Sequence, residues 1–137
     1  MKNPKTAVAE ILYTLLENFH KVGDQQLRKV RYKYSESSLQ GVTLSFESLS
    51  LIIQANGADD TIILSVAGSS ESVSEEIEVS SLAPWCNLIG MPFGWGWITI
   101  NQQGYCDGVQ LSFQDIRPQL LLNVIASSIK VSVVKLT

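Results

Sequence analysis

Residues 95–113 read WGWITINQQGYCDGVQLSF, and the period of this stretch decides the fold. Side chains of a β-strand alternate between its two faces. Trp95, Trp97, Thr99 and Asn101 therefore share one face of a first strand, while Gly96, Ile98 and Ile100 share the other. In the return strand Val109, Leu111 and Phe113 form an apolar row, and Gln110, Ser112 and Gln114 a polar one. Pairing the two as a hairpin sets the isoleucines against the Val/Leu/Phe row as a core face. The tryptophans fall on the face that carries amides and hydroxyls. Two outcomes stay open: an aromatic platform for binding, or a face covered by a second layer such as residues 81–90, with the tryptophans as core.

Working outward from the hairpin, the N-terminal stretch is the one convincing helix, over residues 4–21. Asn3 can cap it, Pro4 suits the first helical position, and Gly23 is a stop signal. Val8, Ile11, Leu12, Leu15, Phe19 and Val22 recur at helical spacing as one apolar stripe, which needs a sheet to lie on. From Gln26 the period changes to two. Val30, Tyr32 and Tyr34 alternate with Lys29, Arg31 and Lys33, a half-buried strand whose basic side is either a solvated face or a docking patch for an acidic partner.

Residues 42–67 read as a meander, with Asn56 to Asp60 as a turn cluster and Thr61 to Ala67 apolar on both faces, hence central in its sheet. Asp59 and Asp60 suit turn chemistry better than a metal site, which needs several more oxygens. Residues 68–80 are rich in serine and glutamate and read as a loop or acidic edge. Residues 81–90 suit a short helix that tucks Trp85, Leu88 and Ile89 under the sheet. After the hairpin come strands over 119–125 and 129–136, joined by a turn at Ala126 to Ser128. The expectation is one α+β domain over residues 1–137: the N-terminal helix packed on a bent antiparallel sheet of about six to eight strands.

Composition bounds the function. Hydrophobic residues make up 45% and charged residues 17% of 137 positions, enough apolar surface for a core. A formal net charge of −3 gives no reason to expect nucleic acid as a partner. No stretch approaches the ~18 apolar residues of a membrane span. Nothing resembles an export signal, so the expected compartment is the cytoplasm, with Cys86 and Cys106 as free thiols; a disulfide between them stays geometrically possible.

Catalytic chemistry is hard to assemble. His20 is the single histidine, and near a helix end its ordinary role is to meet the last carbonyls. The cysteines and histidine lack zinc-ligand spacing, and the glycines of FGWGWI and GYCDGV lack the phosphate-cradling pattern. Gly94 and Gly96 instead suit close backbone approach or a bulge. No catalytic residue, metal or cofactor is therefore expected. The binding candidates are Trp95, Trp97, Asn101, Gln103, Tyr105 and Asp107, with Gln102 beside them. Tryptophan and tyrosine bury large areas at small entropic cost.

The run W-x-W-x-T-x-N-Q-Q-G-Y-x-D-G-x-Q-L-x-F (Trp95 to Phe113) resembles the signature of a small bacterial domain family of unknown function. PWCNLIG (Pro84 to Gly90) and VIASSIKV (Val124 to Val131) fit the same resemblance. In size and layout the chain is similar to the α+β immunity proteins of bacterial toxin systems. That resemblance implies a protein partner and transfers no catalytic residue. The expected function is a non-enzymatic protein-binding module, an immunity or regulatory protein, with self-association open. The alternative is a small-ligand binder whose pocket lies between helix and bent sheet. A third reading, an enzyme with Asp107 or Asp59 as general base, has the least behind it.

Overall fold

The computed structural model describes residues 4–68 and 75–134, with side chains from Ala9 onward. Helix α1 spans Pro4–Val22. Among its described side chains Phe19 and Val22 are core, and Leu15 and Leu16 rest half-buried against it. Ile11, expected on the buried stripe, is 58% exposed. It borders a groove of about 300 Å³ that Leu15, Ile63 and Tyr105 also line. Asn3 and the side chain of Val8 lie outside the described residues. The helix stops where expected, but the left-handed residue is Asp24 (φ 65°), one position past Gly23.

Nine strands follow among the described residues, in two antiparallel sheets where one bent sheet of six to eight was expected. β1 (Lys29–Ser35), β2 (Ser38–Ser45), β3 (Leu49–Asn56), β4 (Thr61–Gly68) and β5 (Glu76–Glu78) form the first, in the order β4-β3-β2-β1-β5. β6 (Phe93–Ile100), β7 (Cys106–Phe113), β8 (Leu120–Ile125) and β9 (Ser128–Val133) form the second, in chain order. Alternation marks which residues point inward, but both sheets send their inward rows into the same core. The pattern alone therefore cannot divide them. Val42, Leu44, Leu51, Ile53, Ile62 and Leu64 face Val109, Leu111, Leu120, Leu122, Val124 and Ile129 across one continuous core.

β4 is an edge strand, contrary to its expected central place. Its outward residues Ile63 and Ser65 are exposed, and only Ile62 and Leu64 are buried. The turn before it is built as the acids suggested. Asp59 Oδ1 accepts from the backbone N–H and hydroxyl of Thr61. Asp60 Oδ1 accepts from Ser127 N–H at 2.8 Å, and Ser127 Oγ donates to Gly57 O at 3.1 Å. Asp60 thus fastens the β3–β4 turn to the β8–β9 turn, joining the sheets at that corner.

The basic stripe of β1 is answered from within the chain. Arg31 pairs across the ladder with Glu78 and Lys33 with Glu76, and Lys29 Nζ stands 3.7 Å from Glu78 Oε1. Arg31 is not a solvated side chain: it is 8% exposed, and its Nη2 donates to Ser45 Oγ at 3.1 Å. The acids of β5 thus lie alongside this strand, with Glu76 Oε2 accepting from the Thr43 hydroxyl at 2.9 Å.

The two ends of the sandwich are plugged differently. Residues 81–90 form a 3₁₀ turn, Trp85–Asn87, rather than a regular helix. It buries Trp85 completely, and the indole Nε1–H donates to Tyr32 OH at 2.6 Å. Leu88 follows it inward, while Ile89 stays exposed. At the opposite end α1 lies over β6. Gly96 faces Phe19 there so closely that a Cβ at Gly96 would come within 2.4–2.6 Å of three ring atoms. Phe19 stacks on Phe93 (centroids 5.9 Å apart), which meets Phe46 at 5.8 Å and Phe113 at 5.6 Å.

Candidate interaction groove beside the tryptophan strand

The hairpin register pairs Trp95 with Ser112, Trp97 with Gln110 and Thr99 with Gly108. The expected core row is realised in Val109, Leu111 and Phe113, all buried. On the partner strand only Ile98 joins it, half-buried. Ile100 is 45% exposed because the register shifts between Thr99 and Ile100 and turns that side chain away from the core.

On the opposite face the tryptophans reach solvent among the described residues. Trp95 is 56% exposed and Trp97 half-buried. Trp97 stands in a row with Gln110, Leu121 and Ser132 across the outer surface of the second sheet. Residues 81–90, the expected cover, are instead occupied in burying Trp85.

A second register shift, between Phe93 and Trp95, sets the position of Trp95. Ser112 is buried there, its hydroxyl accepting from Trp95 N–H at 3.1 Å and donating to Asp115 O at 2.7 Å. A Cβ at Gly94 would approach Asp115 O to 2.7 Å, so glycine lets the turn after β7 fold back on β6. Gln114 N–H closes that turn onto Pro92 O at 2.9 Å. Gly94 thus meets both expectations for these glycines, bulge and close backbone approach, while Gly96 is approached closely by the Phe19 ring.

The folded-back turn, β6 and α1 enclose an open groove of about 820 Å³. It is lined by Leu16, Phe19 and His20, by Asp24, by Phe93 to Trp97 and by Gln114 to Ile116. Asp115 Oδ1 accepts the N–H of Ile116 at 2.6 Å, and Arg117 Nη2 reaches Oδ2 at 3.4 Å. The Ile116 amide, then the Arg117 guanidinium, hold this carboxyl below the usual carboxylate range. It is a fixed negative charge at ordinary pH.

The remaining candidates lie elsewhere. Asn101 closes the hairpin, its Oδ1 accepting from the N–H groups of Gln103 and Tyr105 while its backbone pairs with Tyr105 and Gly104. Gly104 takes φ +87° in that turn. Asp107, a binding candidate, accepts from the Thr99 hydroxyl at 3.0 Å. Gln103 is exposed and unconnected to the tryptophans. Tyr105, 48% exposed, lines the smaller apolar groove with Ile11, Ile63 and Cys106. Level with Asn101, it lies four residues beyond Trp97, roughly 13 Å along a strand. The structure thus groups Trp95 and Trp97 with Asp24, Asp115 and Ile116, and separates them from Asn101 and Tyr105. The two acids carry no sequence signal beyond ordinary turn chemistry.

Among the described residues no three His, Cys, Asp or Glu side chains converge as a metal site, and no helix is long and apolar enough to cross a membrane. One family model, that of a family of unknown function (DUF6334), matches residues 13–136. No curated protein and no solved structure matches the chain.

Proposed function

The chain belongs to this family of unknown function, as its resemblance implied, and we propose that it is a non-enzymatic module that binds a protein partner through the α1–β6 groove. One observation carries the reading: a largely exposed Trp95 and a half-exposed Trp97 stand on one sheet face beside a groove of about 820 Å³. A large exposed aromatic surface costs solubility, and partner binding is the ordinary reason for it. A regulatory or immunity role in the cytoplasm of a bacterium is the biological form of this proposal, and it rests on the resemblance in size and layout.

The small-ligand alternative draws less support. Where helix and sheets meet, the rings of Phe19, Phe46, Phe93 and Phe113 fill the interior. The grooves described above are open to solvent, whereas small-ligand sites bury most of their ligand. Affinity capture from the native host with wild-type, Trp95→Ala and Trp97→Ala protein tests the main reading. A partner held by the wild type and weakened by ~2 kcal/mol or more in both variants supports it. A partner indifferent to both tryptophans refutes it.

A further inference from the structure

Resting on that reading, we propose that the groove takes an extended segment of the partner carrying an arginine or lysine, held between the indoles of Trp95 and Trp97 and the carboxylates of Asp24 and Asp115. The charges that line the groove are one-sided. Among the described residues that line it, Asp24 and Asp115 are the carboxylates, His20 is the one potential cation, and none is a lysine or arginine. Arg117 stands behind Asp115 as an exposed surface pair, of the kind that contributes little and rearranges readily. Its contact with Oδ2 shows that a guanidinium can reach this carboxylate from solvent.

Two further features favour a cation. The C-terminal end of α1, where Gly23 and Asp24 line the groove, presents the negative pole of the helix dipole. Helical spacing also places exposed Tyr13 and Glu17 beside Leu16 and His20, extending the same wall with another aromatic and another acid. Indole faces attract ammonium and guanidinium groups within about 6 Å. Guanidinium also stacks flat on them, so arginine fits better than lysine. The apolar floor from Leu16, Phe19 and Phe93 suits the aliphatic stem of such a side chain.

The test is selection of a random-peptide display library on the full chain, with affinities of the enriched peptides then measured on variants. Asp24→Asn and Asp115→Asn suit this purpose. Asparagine tolerates the left-handed backbone at position 24 and keeps an oxygen acceptor for the Ile116 amide. The expected result is enrichment of arginine or lysine flanked by apolar residues. Binding should fall roughly three- to tenfold in the Asn double variant at about 50 mM salt, with a smaller loss at high salt. It should fall further in Trp95→Ala or Trp97→Ala. Neutral or acidic peptides that need the tryptophans but ignore the two aspartates overturn the basic-segment inference and leave the groove reading standing. Peptides that ignore the tryptophans, or no enrichment at all, overturn both.

Discussion

Replacing Gly96 by alanine tests the contact that fixes helix and tryptophan strand relative to each other. The added Cβ would lie 2.4 Å from Phe19 Cγ, 2.5 Å from Cδ1 and 2.6 Å from Cδ2. Carbon atoms prefer about 3.5 Å or more, so the ring must retreat by roughly 1 Å. It has little room, being 6% exposed and stacked on Phe93. Overpacking of this kind costs ~1–3 kcal/mol. The ceiling is the ~3–5 kcal/mol of losing the ring altogether. Against this, alanine in a strand recovers ~0.5–1 kcal/mol of the entropy that glycine gives up on folding. The net expectation is a loss of about 1–2 kcal/mol. In a Phe19→Ala background the clash is gone and the sign reverses, to a gain of ~0.5–1 kcal/mol. Urea unfolding of the four proteins of this cycle should therefore return a coupling of about 1.5–3 kcal/mol. A Gly96→Ala loss below ~0.5 kcal/mol, or an equal loss in both backgrounds, would refute the packing of α1 on β6.

Three more outcomes are expected. Trp95→Ala should leave stability within ~0.5 kcal/mol by chemical denaturation, whereas Trp85→Ala should cost ~3–5 kcal/mol, because Trp85 is fully buried and hydrogen-bonded to Tyr32. Phe19→Ala should cost ~3–5 kcal/mol and Ile11→Ala less than ~1 kcal/mol, and equal losses would mean that the whole helix is packed. Both cysteines should titrate as thiols in denatured, non-reduced protein, and in the native protein exposed Cys86 should alkylate before Cys106 near pH 8. Burial first, then Asp107, pushes the Cys106 thiol up and reduces its thiolate fraction, so Asp107→Asn should narrow the gap without closing it.

How far the sequence could be read depended on the range of each interaction. The apolar rows of the hairpin and the extent of α1 were legible because period and capping are local properties. The exposed Ile100 was not, since one shift of register reverses the facing of a side chain without any mark in the pattern. The division into two sheets and the edge place of β4 were hidden for a related reason. Alternation records burial and not which strand lies alongside. Trp95 and Trp97 could be placed on a shared face, but not judged open or covered, because that depends on where Trp85 goes. The groove itself was illegible. Its acids, Asp24 and Asp115, sit in turns where aspartate is common for local reasons, and only the folded chain brings them beside the tryptophans.

The three indoles differ in surroundings enough to report separately. Trp85 is sealed in the core with its N–H on a phenolic oxygen, Trp97 lies half in water, and Trp95 stands mostly in it. Emission from the native protein should accordingly be a composite, with a red component that iodide quenches and a blue one that it cannot reach. A Trp95→Phe protein should lose most of the quenchable component, Trp97 keeping a smaller share, and retain the cooperative red shift of Trp85 on unfolding. Occupation of the groove and opening of the core thus carry different colours in one unlabelled sample.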